Sequence, residues 1–327
     1  MIKKLIVAIA LIFVGCTVFI QLAAAQNQPS AKVGILWHLN VAEMAPYQKG
    51  VADAMQYLGW IEGKNIQYLV RYMQGDPNRV PPIIKEFVAM KVDVIYLPDA
   101  AIKPAREVTK TIPMVTGDFY DPIVEGFTTS LAKPSQNVTG ISWQSIESAG
   151  KRVELAKELV TGLRNIAFLY DSNELGAKIE QKGIVAAARF AKVGLRNYPV
   201  QDLGSLRAAL TAIKASRPDA LIVSVNPLTW NSREEVARFA SAIQVPAIAE
   251  VPEFASAGFV LTYGANALNA FTRGAYYLNK ILRGAKLSDL PIEQPTKFDF
   301  VVNLKTAKAL GIKIPESIML RATEVIR

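Results

Sequence analysis

A chain of 327 residues with one cysteine, one histidine and a formal charge of +9 has length for about two domains and can bury its cores without disulfide staples. The lone histidine, His38, removes most metal sites, every cysteine–histidine pairing and any two-histidine relay, so neither a metal nor a cofactor is expected. The positive charge is spread along the chain with no block of like residues, which speaks against a nucleic-acid partner.

The chain opens MIKKLIVAIALIFVGCTVFIQLAAAQ. Lysines, an apolar run and then small residues ending at Ala25 are the parts of a secretory signal peptide, in order. That predicts export to the periplasm, with residues 1–25 removed and a mature chain free of cysteine. Two readings compete with it: an uncleaved membrane anchor, and cleavage before a lipid-modified Cys16.

Beyond the polar spacer QNQPSA, short apolar runs alternate with longer amphipathic stretches. The run at 32–37 reads as a buried strand and 44–59 as a helix closed by Gly59. A strand follows at 65–73, a helix with proline at its start at 81–91, a strand at 92–98, a helix at 102–110, and strands at 112–118 and 137–143. The pattern then restarts with a helix at 145–160, a strand at 165–171 and a long helix ending at Gly194. A strand at 196–200, a helix at 204–216, a strand at 219–226, a helix at 232–244 and strands at 245–251 and 258–264 complete the second set. The remainder reads as a helix over 265–287, a strand at 297–303 and a helix at 304–311. This alternation predicts an α/β chain of two lobes, each a mostly parallel sheet flanked by helices. Lobe 1 comprises 32–143 plus about 265–297, and lobe 2 comprises 144–264 plus about 298–327. The chain then crosses between lobes more than once, which makes a hinge and a cleft.

Motifs for chemistry are sparse. No G-x-S-x-G, G-x-G-x-x-G or G-x-x-x-x-G-K-[ST] occurs, which disfavours a serine hydrolase, a dinucleotide site and a nucleoside triphosphate site. Ser130 and Ser148 each begin an S-x-x-K without the partner motifs of a serine acylase, and the N-V-T at Asn137 carries little weight alone.

The informative pattern is positional, because ligands of open parallel sheets sit beyond the carboxyl ends of the strands. The residues at those ends are Trp37, His38 and Asn40; Asp99; Asp118, Tyr120 and Asp121; Ser142 and Trp143; Tyr170, Asp171 and Asn173; Asn226 and Trp230; Glu250; and Tyr263. Three of the four tryptophans fall among them. Rings supply contact area and a few polar groups fix orientation, which is what a pocket for a small organic molecule needs.

Four stretches, YLGWIEGKNIQYLVRY (57–72), PSQNVTGISW (134–143), ASAGFVLTYG (255–264) and QPTKFDFVVNLKTAKALGIKIP (294–315), together with the closing LRATEVIR, carry a resemblance over nearly the whole mature chain. The chain resembles the ABC transporter substrate-binding proteins that include tryptophan- and tyrosine-uptake binding proteins. The resemblance implies a periplasmic, type I periplasmic binding protein-like fold that acts as a monomer. It also implies a non-catalytic role: holding a small solute between the lobes and delivering it to a membrane permease driven by a separate ATPase. Loop by loop, the family pattern matches Trp37 to Asn40, Asp121-Pro122, Asp171 to Asn173, Asn226-Pro227 and Thr262 to Gly264. The chain departs from it at Trp37-His38, where relatives usually carry small residues.

On this reading Asp118 or Asp121 pairs with a solute ammonium group. Ser142 or Thr262, with backbone N–H groups at helix starts, takes a carboxylate, while Trp37, Tyr120 and Trp143 pack on an apolar body. The leading solute is an amino acid with an aromatic or branched side chain, followed by an aromatic or other small carboxylate. Two other classes use the same cleft: a sensor that signals to a membrane receptor, and a hydrolase with Asp118 and Asp121 as its acid and base.

Overall fold

A computed structural model describes residues 31–327; the signal segment and Cys16 lie outside the described residues. In chain order the elements are β1 (Ala31–Trp37), α1 (Val41–Tyr57), β2 (Ile66–Tyr72), α2 (Val80–Ala89), β3 (Val94–Tyr96), α3 (Asp99–Val108), β4 (Met114–Phe119) and β5 (Val138–Ser142). They continue with α4 (Ser145–Leu159), β6 (Asn165–Asp171), α5 (Leu175–Ala191), β7 (Gly194–Val200), α6 (Leu203–Ser216), β8 (Ala220–Val223), α7 (Pro227–Asn231), α8 (Arg233–Ala242) and β9 (Ala247–Ala249). The last are α9 (Pro252–Ala257), β10 (Leu261–Ala265), α10 (Ala267–Leu282), β11 (Phe298–Asn303), α11 (Leu304–Ala309), α12 (Glu316–Met319) and β12 (Glu324–Ile326).

The strands form two sheets, β2-β1-β3-β4-β5 and β12-β11-β10-β9-β8-β6-β7. Every pairing is parallel except β10 with β11. Both faces of each sheet are covered, so strands such as β4 and β5 are buried at every position and read as apolar runs without alternation. Along β6, successive side chains enter opposite faces: Phe168 and Tyr170 pack toward α4 and α5, while Ala167 and Leu169 pack toward α6 and α8. The strand β12, which the sequence pattern does not announce, pairs with β11 and covers that edge of the second sheet.

Two details place the cleft. In each sheet the chain reverses its direction of travel beside the first strand, with β2 and β3 flanking β1 and with β7 and β8 flanking β6. Such switch points leave a crevice at the carboxyl ends. Helix α10, although it follows the second sheet's β10, returns to pack on β4 and α1 of the first lobe. Close approach there requires Gly117, because a Cβ would lie 2.7 Å from the Phe271 ring and 2.6 Å from the Tyr96 hydroxyl. The chain thus passes between lobes after β5, after β10 and through 283–297.

Candidate functional site

A cavity of about 110 Å³ opens between the lobes at the carboxyl ends of both sheets. The first lobe contributes His38, Leu39, Met44, Tyr47, Asp118, Tyr120, Trp143, Ala267 and Phe271; the second contributes Val225, Asn226, Pro227, Trp230, Glu250 and Val251. The volume is on the order of the roughly 150 Å³ that holds one benzene molecule, which fits a single ring or a branched chain. A wider groove of about 770 Å³ lies at the opposite, amino-terminal end of the second sheet, around Pro218 and Pro246, and belongs to one lobe only.

Local sequence explains how the walls are held. The ends of β1 and β8 run almost directly into capped helices. Asn40 Oδ1 accepts the Ala42 and Glu43 N–H groups at 3.0 and 3.2 Å and starts α1. Asn226 and Thr229 form a reciprocal capping box that starts α7. The indole N–H of Trp143 donates to the Gly117 carbonyl at 2.8 Å. That of Trp230 crosses the cleft to Glu43 Oε1 at 2.7 Å, and the Tyr47 hydroxyl crosses to Glu253 at 3.3 Å. These bonds occupy the polar edges of the three rings and fix their orientation at the cavity wall.

The ionisable lining groups are Asp118, Glu250 and His38. Burial raises Asp118 to about 6, against the hydrogen bonds it accepts from Thr116 Oγ1 at 2.5 Å and the Asp99 N–H at 3.0 Å. Burial likewise raises Glu250 to about 7, opposed by Arg152 and assisted by Glu180. Burial lowers His38 to about 4, so its imidazole is neutral at ordinary pH. Behind Glu250 lies Arg152, fully buried, which donates to Glu180 and to the Tyr263 carbonyl and stands 4.0 Å from Glu250 Oε1. That oxygen accepts no hydrogen bond.

Of the strand-end residues singled out in the sequence, His38, Asp118, Tyr120, Trp143, Asn226, Trp230 and Glu250 meet at this cavity. Asp99, Asp171 and Asn173 line a second inter-lobe cavity of about 440 Å³ on the far side of Tyr120, beside Lys103, Glu125 and Glu174.

Six do not line the cavity. Trp37 points into the first lobe's core, edge-on to Tyr96 and Phe271, because the last residue of β1 still obeys the strand's alternation. Tyr170 stacks on Phe168 inside the second lobe, and Tyr263 stacks on Phe298 across the β10–β11 pair. Asn40 is consumed as a cap, Ser142 accepts the Gln144 N–H at the crossing, and Asp121 caps its own turn through the Ile123 and Val124 N–H groups. Asp121 therefore does not face Asp118 across a solute, and the acid–base pair a hydrolase needs is not assembled. Thr262, the other expected carboxylate ligand, is buried in its strand.

Sequence reasoning missed Tyr47 and Phe271, which form the cavity's apolar side 5.1 Å apart between ring centres. Both sit on helices, α1 and α10, within the first two turns after a strand end, and that spacing is the signal that was available.

The lobes are in contact. The Tyr120 ring of the first lobe lies against Gly176 of the second, and Gly75 against Pro227. This is a closed arrangement, with cavities left between the lobes on either side of Tyr120.

Residues 32–326 match the sequence model of a family described as ABC transporter substrate binding protein. A tyrosine-binding protein of Clostridioides difficile (strain R20291) is 26% identical over 293 residues, covering 88% of this chain and 83% of that protein. The crystal structure of an ABC domain in complex with L-Trp from Streptococcus pneumonia superposes with a TM-score of 0.84 at 25% identity, covering 91% of this chain and all of that one. A ligand-free, open structure of a substrate binding protein with adhesive properties from Clostridium difficile, at 23% identity and covering 91% and 99% of the two chains, gives 0.70. The architecture is the type I periplasmic binding protein fold.

Proposed function

The chain belongs to the ABC transporter substrate-binding protein family, and from that premise we propose that it is the exported, solute-capturing component of an uptake transporter. It binds a small amine-bearing organic solute between its lobes and presents the closed form to a membrane permease. The solute class we favour is that of amino acids with an aromatic or branched side chain and their close amine relatives. Tyrosine and L-Trp are named for two similar proteins, and the cavity here has room for a single ring or a branched chain. The observation that carries this reading is a cavity built from both lobes, in which rings of Tyr47, Tyr120, Trp143, Trp230 and Phe271 surround two carboxylates.

The mechanism follows from that arrangement. In the open state Asp118 and Glu250 stand on separate lobes and a solute touching one gains half of its contacts. Closure brings both to the same solute and covers it with Trp143 from one side and Trp230 from the other. Only this difference in affinity between the two states shifts the equilibrium toward closure. The bonds Trp230–Glu43 and Tyr47–Glu253, which span the lobes, form on closing and define the closed shape that a permease would read. No bond of the solute is broken: Asp118 is committed to Thr116 and the Asp99 amide, Glu250 stands on the opposite lobe, and neither has a nucleophile beside it.

Export is part of the proposal. It rests on the lysines, apolar run and small residues of the amino-terminal sequence; among the described residues no helix is long and apolar enough to cross a membrane.

The test is mass spectrometry of solutes that co-purify with the protein from the export compartment, followed by calorimetry with amino acids and amines. Binding that is weakened at least tenfold by Trp143→Ala and by Trp230→Ala supports the cleft. Tight binding that neither variant changes would place the solute elsewhere and overturn the reading.

A further inference from the structure

We propose that this cleft recognises its solute through a cationic nitrogen alone and has no subsite for a carboxylate, so that small aromatic or branched amines bind it more tightly than the corresponding amino acids. The inference rests on the reading that the solute occupies the inter-lobe cavity.

The charges lining the cavity are unbalanced. Asp118 enters from the first lobe and Glu250 from the second, and no lysine or arginine lines the space. Asp118 is 9% exposed and Glu250 7% exposed, so neither charge is cancelled by bulk water. Glu250 Oε1 is buried and without a donor; the nearest cation, Arg152, stands 4.0 Å away behind it. Arg152 is itself fully buried and already holds Glu180 and the Tyr263 carbonyl, so it cannot turn to meet a solute carboxylate. Two buried carboxylates with no cation beside them at the cavity favour an occupant that brings positive charge. A protonated amine is such a group.

The donors that would hold a carboxylate are already engaged. Asn40 Nδ2 donates to Glu43 Oε2 and Asn226 Nδ2 to the Ser224 carbonyl. The indole N–H groups of Trp143 and Trp230 and the Tyr47 hydroxyl are spent on Gly117, Glu43 and Glu253. The neutral His38 ring and the Tyr120 hydroxyl remain, and neither offsets a negative charge brought close to two others. What the cavity does offer besides its carboxylates is ring faces, whose negative quadrupole attracts ammonium groups and repels anions. Burial raises the proton affinity of both acids, and a cation placed beside them would favour their ionised forms.

The experiment is calorimetry of the full-length protein freed of endogenous solute, at pH 7.5, with three pairs: tryptamine and L-tryptophan, tyramine and L-tyrosine, and isopentylamine and L-leucine. The amine is expected to bind at least tenfold more tightly than its amino acid in the best-binding pair. Glu250→Gln and Asp118→Asn are each expected to weaken the amine at least tenfold while changing the amino acid less. If an amino acid binds as tightly as its amine or more tightly, and Trp143→Ala weakens it, the inference is overturned while the cleft assignment stands. If no member of any pair binds, both fall.

Discussion

Replacing Gly176 by alanine should weaken solute binding without weakening the fold. Gly176 is the second residue of α5, on the lobe facing Tyr120. A Cβ built there would lie 2.5 Å from Cε2 and Cζ of the Tyr120 ring, closer than carbon atoms approach without something moving. The ring lies against Gly176 of the opposite lobe, with three of its atoms within 2.6 Å of the added Cβ, so the strain is relieved most simply by the lobes parting. Overpacking of this kind costs about 1–3 kcal/mol, and here the cost falls only on the closed state, because the two residues belong to different lobes. A penalty of that size on the binding-competent state raises the apparent Kd by about 5–150-fold. Within the helix, alanine is favoured over glycine by about 1 kcal/mol, so the ligand-free melting temperature should hold or rise slightly. The assay pairs calorimetry, using whichever amine or amino acid binds the wild type most tightly, with thermal melting of the ligand-free proteins. An affinity within twofold of wild type would show that Tyr120 and Gly176 do not meet in the bound state, and the account of closure would fail.

Further outcomes are expected. Trp37→Ala should lower stability by about 3–5 kcal/mol in urea unfolding, because the ring is 2% exposed and buried against Tyr96 and Phe271; a loss of affinity with no loss of stability would restore it to the cavity wall. Arg152→Met leaves Glu180 and Glu250 buried without their shared cation and should cost about 3–5 kcal/mol, part of which returns on adding Glu250→Gln; melting temperatures of the single and double variants decide this. The ligand-free protein should lose stability as pH rises from about 4 to about 7. Asp118, facing Thr116, the Asp99 amide, Tyr96 and Tyr120, and Glu250, facing Arg152 and Glu180, both bind protons more tightly folded than unfolded. Their contribution is therefore present below the unfolded pKa and lost as pH passes the folded one. Asp99, Glu125 and Glu174 act in the same direction, whereas His38, lowered by burial to about 4, acts in the opposite one, so the net loss is smaller than the acids' sum. For Asp118, raised from 3.8 to about 6, the change is roughly 3 kcal/mol at about 1.4 kcal/mol per pH unit. Asp118→Asn should flatten the melting profile over that range, and an unchanged profile would refute the assignment.

Much of the architecture was legible in the chain. Apolar runs buried on both faces, separated by amphipathic stretches with caps and closing glycines, lead directly to two parallel sheets and to the ends at which their loops converge. Seven of the cavity's side chains were on view for that reason, since Asp118, Glu250 and their neighbours are the first polar or aromatic residues after an apolar strand. Position along the chain cannot separate Trp143, which faces the cavity, from Trp37, which faces the core, because the last turn of a strand sends neighbouring side chains to opposite sides. Tyr47 and Phe271 lie further on, within the first two turns of α1 and α10, and the second reaches the cleft only because α10 returns to pack on the first lobe.

What the sequence by itself determined is the set of elements, their parallel order and the family, because these depend on local periodicity and on stretches read whole. Tertiary structure decided which strand-end groups share one cavity, that the two carboxylates there come from opposite lobes, that Arg152 stands behind one of them, and that Tyr120 closes on Gly176. Those facts depend on residues far apart in the chain meeting across a hinge, and no local pattern encodes the register of one lobe against the other.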